Sequence, residues 1–425
     1  RTPSAESAHR LGELALLTTA FVLPLAFSLH SYDPASLKFA VLQWSSLAML
    51  FGWLWQGITR GRFQAPAASW TVLLPALAYG AWTVASFAAG ERRLAALPDF
   101  VTRLTMLAAF LAAFLGFAGA RYASRFAALT VGAALLAAAA AAVSRGFADT
   151  AAPYLASLFA VAVPLALTLD LDPETPGPLR VAALALLPVA GLCLVLRASP
   201  AAGFCAALLL YAVTVAAALR SKAGLRSAGL ALIVAAAVAS AGRAALPAPA
   251  FAHGAVETAL VLWLFGAALW TGARAASALR RAGALPESTY AAGFAAAAAA
   301  ALASAYFGGD GLSPAAGWYA WPLAGLAAGL APLAARRAAV SVYPLPISES
   351  IRHALYAPAL LGFATLAVMP GLWLRSDVQL NSAVYAERNG DPARARALYA
   401  QVLPGARGWA RALLGEGDAL AALGH

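Results

Sequence analysis

Charge is what this sequence has least of. Asp, Glu, Lys and Arg make up 11% of its 425 residues, where soluble domains carry about 25%. So few charges cannot cover a water-exposed surface of this size, which excludes a soluble enzyme. The poverty in apolar residues that marks disorder is missing too. Hydrophobic residues reach 62% and the mean hydropathy is +0.75, the opposite of a disordered composition. Cysteine is nearly absent. Cys193 and Cys205 both sit inside apolar runs, too few for a disulfide framework or a structural zinc site. No metal-ligand cluster, phosphate-cradling glycine loop or paired-carboxylate pattern occurs, so no metal or other cofactor is expected. Acidic residues are also short, 18 against 29 basic, giving a net charge of +11. The basic excess is scattered in ones to threes between apolar segments. That distribution excludes a nucleic-acid surface and fits the loops of a protein that sets its orientation in a membrane.

What the chain does have is long apolar runs. Unbroken stretches of this length point to spanning helices rather than the short alternating strands of a barrel. The fold class expected is all-α: a polytopic transmembrane helix bundle followed by a short extracytoplasmic helical-repeat segment. Thirteen spans are read, near 11–30, 37–58, 69–89, 101–120, 126–143, 154–170, 181–197, 203–219, 227–243, 256–273, 290–307, 317–334 and 354–373. The first reads as a span rather than a cleavable signal. One set of alternate loops holds sixteen Lys and Arg between Arg1 and Arg352. The other holds seven: Lys38, Arg92, Arg93, Arg103, Arg145, Arg197 and Arg243. The richer side is expected to be cytoplasmic. The N-terminus then lies inside a bacterial inner membrane and the C-terminal segment outside it, with membrane lipids as the surrounding partner.

Two domains are expected, a bundle over 1–374 and a helical hairpin segment over 375–425. From Arg375 onward six basic and five acidic residues appear, and the apolar positions take helical spacing. Residues 380–399 read as helix, a Gly390-Asp391 turn, and a second helix opened by Pro392, which is tolerated in a first turn. Ala395 and Tyr399 lie one turn apart, the small-then-large pattern by which tetratricopeptide hairpins pack. A further helix from Gly408 to Gly415 and beyond would open another repeat. A single repeat buries its face against a neighbour, so a protein partner is expected to dock on 379–415. The alternative is an ordinary amphipathic hairpin.

Ionisable groups are costly inside a membrane and mark function where they border the bundle. On the outer side these are Glu91, Arg92, Arg93, Asp99 and Arg103 around the third loop, then Arg145, Arg197 and Arg243, and then His253 with Glu257. His253 and Glu257 are four residues apart on one helix face, a spacing that suits a base and the group that orients it. Arg92, Arg93, Arg145, Arg197 and Arg243 supply fork-shaped donors suited to a lipid pyrophosphate. Taken singly, each arginine reads first as one that snorkels to headgroups or caps a helix end.

The order of these segments resembles the O-antigen ligase and polymerase superfamily, including its protein O-oligosaccharyltransferase relatives. Ser31-Tyr-Asp-Pro-Ala-Ser-Leu-Lys38 looks like that group's "YDSFxxPK" outer loop. Phe147 to Leu158 resembles its "FGNPNxLAxxL" stretch, Leu196 to Gly203 falls where it has "TGSRGA", and His253 to Gly266 where it has "HNxxLxxxxELGxxG". Pro200 replaces the Ser-Arg arginine, the asparagines of the second stretch are absent, and the outer loop before His253 is cut to Arg243–Ala252. The resemblance implies metal-independent transfer of a glycan from undecaprenyl pyrophosphate to an acceptor hydroxyl, with His253 and Glu257 catalytic and the five arginines on the pyrophosphate. A second reading is a relative retained as a membrane scaffold, its bundle intact and its arm binding a partner. A transporter is a weaker third, for want of two matching broken helices flanked by charge.

Overall fold

The computed structural model describes residues 3–26, 32–33, 36–66, 70–90, 93–117, 120–143, 145–196, 208–209, 211–213, 215–216, 222–241, 255–307, 314–331, 340–346, 348–406 and 408–423. The chain is all-α apart from one two-stranded ribbon. In order come α1 (Pro3–Leu25), α2 (Ser36–Arg60), β1 (Arg62–Pro66), α3 (Trp70–Ala89), α4 (Arg93–Gly116), α5 (Ala120–Val143), α6 (Arg145–Leu171) and α7 (Gly177–Leu196). They are followed by α8 (Lys222–Ala241), α9 (Ala255–Arg281), α10 (Leu285–Phe307), α11 (Pro314–Gly329), β2 (Val340–Pro344), α12 (Glu349–Ala354), α13 (Tyr356–Arg388), α14 (Pro392–Tyr399) and α15 (Trp409–Ala422).

Among the described residues, six helices are long and apolar enough to cross a membrane: Ser36–Arg60, Trp70–Ala89, Ala96–Gly116, Arg121–Val143, Val256–Arg281 and Glu349–Arg388. Their length and composition make this a multi-pass membrane protein. Three shorter apolar helical stretches, Leu158–Leu171, Gly177–Leu192 and Leu225–Val234, accompany them. Of the thirteen expected spans, the one over 203–219 is described only at Leu208, Leu209, Tyr211–Val213, Val215 and Ala216, all helical.

Side-chain size decides which helices sit in the middle. Residues 291–301 of α10 are small but for Phe294, and 319–329 of α11 are apolar on every face; both runs are buried throughout. A helix without a polar face belongs in the interior. Small residues also let backbones approach closely, which is how helices associate where no water drives them together. Gly325 and Gly329 of α11 face the Phe110 and Phe114 backbone of α4, and Gly293 of α10 faces Thr168 of α6. Helices α4, α5, α6 and α9 pack around this pair.

The ribbon is not expected from the sequence. β1 and β2 pair antiparallel with Phe63 opposite Tyr343 and Gln64 opposite Val342. Each strand lies in what reads as a loop, so the pairing ties two distant loops together at one end of the bundle.

At the other end α13 runs unbroken through Arg375 into the arm. Its first half lies against α2, with Phe51 stacked on Phe363 at 4.5 Å and the Trp44 Nε1 donating to the Ala367 carbonyl at 2.7 Å. Its second half joins α14 and α15 around Leu380, Ala383, Ala386, Ala395, Tyr399, Val402 and Ala412. The turn forms as its residues dictate. Gly390 takes φ +76°, which favours glycine, and Asp391 caps α14 by accepting from the Arg394 amide at 3.0 Å, with Pro392 in the first turn.

Candidate functional site

The end of the bundle where α3 meets α4 and α9 begins carries the candidate site. Phe87 stacks on Phe100 at 4.2 Å and packs the α3–α4 corner, while the Arg93 guanidinium donates to the Ala88 carbonyl at 3.0 Å, satisfying one of the carbonyls left over at the end of α3. Arg93 is thus a helix cap, exposed at the corner. Nearly three turns further into α4, the Arg103 Nε lies 3.0 Å from Oε1 of Glu257, in the first turn of α9. The Glu257 side chain is 7% exposed and the Arg103 side chain 26%. A helix N-terminus favours an anion, and the arginine compensates what burial would otherwise cost the carboxylate.

Of the predicted residues, Glu257 and Arg93 are described with their side chains. Arg145 is the first residue of α6, its side chain lying outside the described set. His253, Arg92, Arg197 and Arg243 lie outside the described residues. Arg103 was read as an outer-side charge but not as Glu257's partner. Glu257 stands in the first turn of α9 and Arg103 well inside α4, charges within apolar helices, which is the signal available; the pairing itself is a tertiary fact.

Tyr32 and Asp33, between α1 and α2, are held at this same end. The backbone amide of Asp33 donates to the Asp377 carboxylate at 3.1 Å, and that of Tyr32 to the Asp377 carbonyl at 3.3 Å. Lys38 is buried in the first turn of α2, its Nζ donating to the carbonyls of Leu23 and Pro24 at 2.9 and 2.6 Å. These are carbonyls that α1 leaves unpaired at its end, and a cation is favoured there. Lys38 and Asp377 therefore tie α1, α2 and α13 into one corner. The arm rests on it as well: the Leu403 amide donates to the Ser376 Oγ at 3.2 Å, and Gly405 lies against Leu94 and Leu97 of α4.

Among the described residues, no group of three or more His, Cys, Asp or Glu is placed to hold a metal ion. Comparison with protein-family models, with curated proteins and with solved structures gives no match.

Proposed function

We propose that this chain is an O-antigen ligase-like membrane glycosyltransferase, moving a glycan from undecaprenyl pyrophosphate to an acceptor hydroxyl at the outer face of a bacterial inner membrane. The observation that carries the reading is the buried Glu257, held by Arg103 at the end of the bundle, four residues along the sequence from His253. An ion pair at that depth is costly and marks a functional site. In the reaction the acceptor oxygen bonds to the anomeric carbon, the carbon–oxygen bond to the pyrophosphate breaks, and His253 takes the hydroxyl proton. Arginines neutralise the departing pyrophosphate, so its departure needs no metal. Glu257, fixed by Arg103, is the positioning group for the histidine.

The test is transfer from the lipid-pyrophosphate donor by purified full-length protein, with acceptor from its own cell envelope. His253→Ala is expected to cut turnover roughly 10²–10⁴-fold, the usual worth of a general base. Glu257→Gln and Arg103→Gln should each lower it by less and shift its pH profile, since they act through the histidine. A structural ion pair would leave that profile where it was.

The second reading, a scaffold that docks a partner, is supported by the arm. A groove of about 510 Å³ on it is lined by Asn381, Tyr385, Asn389, Asp391 and Arg394 among others, polar groups suited to a protein segment. No transfer by the parent, together with loss of a co-purifying partner on truncation after Gln379, would leave this reading in place of the first.

Both readings put the arm outside and the N-terminus inside. In a background with Cys193 and Cys205 replaced by alanine, Ser382→Cys should react with a membrane-impermeant thiol reagent in cells whose outer barrier is opened. Arg281→Cys, at the opposite end of the bundle, should be protected. The reverse pattern would overturn the orientation.

A further inference from the structure

A cavity of about 540 Å³ opens at the end of the bundle rich in basic residues, between α1, α2, α4 and α5. It lies at the opposite end of α4 from Arg93 and shares none of the candidate-site groups. Four arginines line it, each from a different element: Arg10 of α1, Arg60 ending α2, Arg62 opening β1, and Arg121 of α5. One carboxylate, Glu13, lines it too, and Arg125 pairs with that group, with Arg121 4.0 Å away. Cationic charge in the wall therefore outweighs anionic charge.

A fifth guanidinium stands behind the turn that carries Arg60 and Arg62. Gly61 there takes φ +63°, and a Cβ on it would strike the guanidinium of Arg352. The Nε of Arg352 is buried with no hydrogen-bond partner among the described residues. The β1–β2 ribbon holds this turn in place, since the Leu345 amide donates to the Gly61 carbonyl at 2.9 Å. Other polar groups complete the wall: His9, 2.7 Å from the Tyr122 hydroxyl, and Gln56. Met49, Leu115 and Phe117 add apolar side chains to the lining.

We propose that this cavity binds a phosphate group, presented either by the headgroup of an acidic phospholipid or by a soluble phosphate ester. Converging guanidinium forks match phosphate oxygens, and basic pockets between membrane helices hold lipid headgroups in this way. The apolar side chains in the lining would take the first carbons of an acyl chain. Four helices and the ribbon meet at the cavity, so occupancy also braces the bundle.

The test measures binding to the full-length protein in detergent by native mass spectrometry. Its ligands are phosphatidylglycerol, phosphatidylcholine and glycerol 3-phosphate. Phosphatidylglycerol binding tighter than phosphatidylcholine supports the lipid source. Retention of glycerol 3-phosphate without that preference supports the soluble one. Arg60→Gln with Arg62→Gln should weaken the bound ligand about tenfold or more, since each charged hydrogen bond lost is worth about 1.5–3 kcal/mol. Arg60→Lys with Arg62→Lys keeps the charge and should retain part of the affinity, which separates lost binding from lost folding. Arg281→Gln, an exposed basic residue outside the cavity, should change nothing. Equal binding of all three ligands, or binding unchanged in the double glutamine variant, would overturn the proposal.

Discussion

Replacing Gly325 with valine should lower the stability of the bundle by about 3 kcal/mol or more, the upper range for overpacking a close helix contact. A Cβ at Gly325 would land on the carbonyl oxygen of Phe110 and come within 3.2 Å of the Phe114 amide nitrogen. Both obstacles are backbone, so no side chain can turn aside; α4 and α11 must move apart. Gly329, one turn on, sets the same limit more softly, its Cβ position lying 3.2 Å from the Phe114 carbonyl oxygen. Gly329→Ala should therefore cost much less than Gly325→Val. Heat or denaturant unfolding of the purified protein in detergent reads the difference. A valine variant as stable as the parent would mean that the two helices do not meet at Gly325. The effect reaches the candidate site, because α4 carries Arg103 and α11 packs on both α4 and α9. Separating the helices should loosen the Arg103–Glu257 pair before it unfolds the chain.

That contact also shows what the sequence conveys and what it withholds. Apolar runs mark where helices form, because a spanning helix must satisfy its backbone within itself. The Gly390-Asp391-Pro392 turn was readable for a similarly local reason: a positive φ, a side-chain cap and a first-turn proline all fall within three residues. Which helix lies against which is another matter. Gly325 and Gly329 have the spacing of a close helix contact, but nothing in that spacing names α4 as the partner. The ribbon was invisible because five residues of strand, paired with a loop far along the chain, leave no periodic trace. Lys38 was legible as part of a family-like loop, yet its work of closing the end of α1 depends on the turn between the helices. Arg103 and Glu257 were both visible as costly charges, and only the packing of α4 on its neighbours unites them. The arginine-lined cavity was hidden by its own residues. Arg10, Arg60, Arg62 and Arg121 each read as an ordinary topology signal, and their convergence is a property of the fold.

Tyr399→Ala should unfold the arm and leave the bundle standing. Tyr399 is 2% exposed and occupies the centre of the small cluster formed by α13, α14 and α15. Its ring fills the space beside Gly415, where a Cβ would collide with it. Truncating a buried aromatic costs about 3–5 kcal/mol, as much as a cluster of this size can supply. Hydrogen exchange should therefore rise across α14 and α15 while α4, α10 and α11 stay protected, and exposed Arg394 and Arg396 should become sites of trypsin cleavage. Protection unchanged in the arm would show that its stability comes from elsewhere. Tyr399→Phe keeps the ring and removes only the hydroxyl's bond to Glu387, so it should cost about 1–2 kcal/mol and leave the arm folded. Burial, reinforced by Glu387, pushes the Tyr399 hydroxyl up to about 12, above the value of about 10 it has in an unfolded chain. The folded arm therefore keeps its proton where the unfolded chain gives it up. The resulting stability is complete below pH 10 and is lost as pH rises toward 12. The parent arm should gain exchange over that window, and the phenylalanine variant, having no such proton, should lack this component of the alkaline loss.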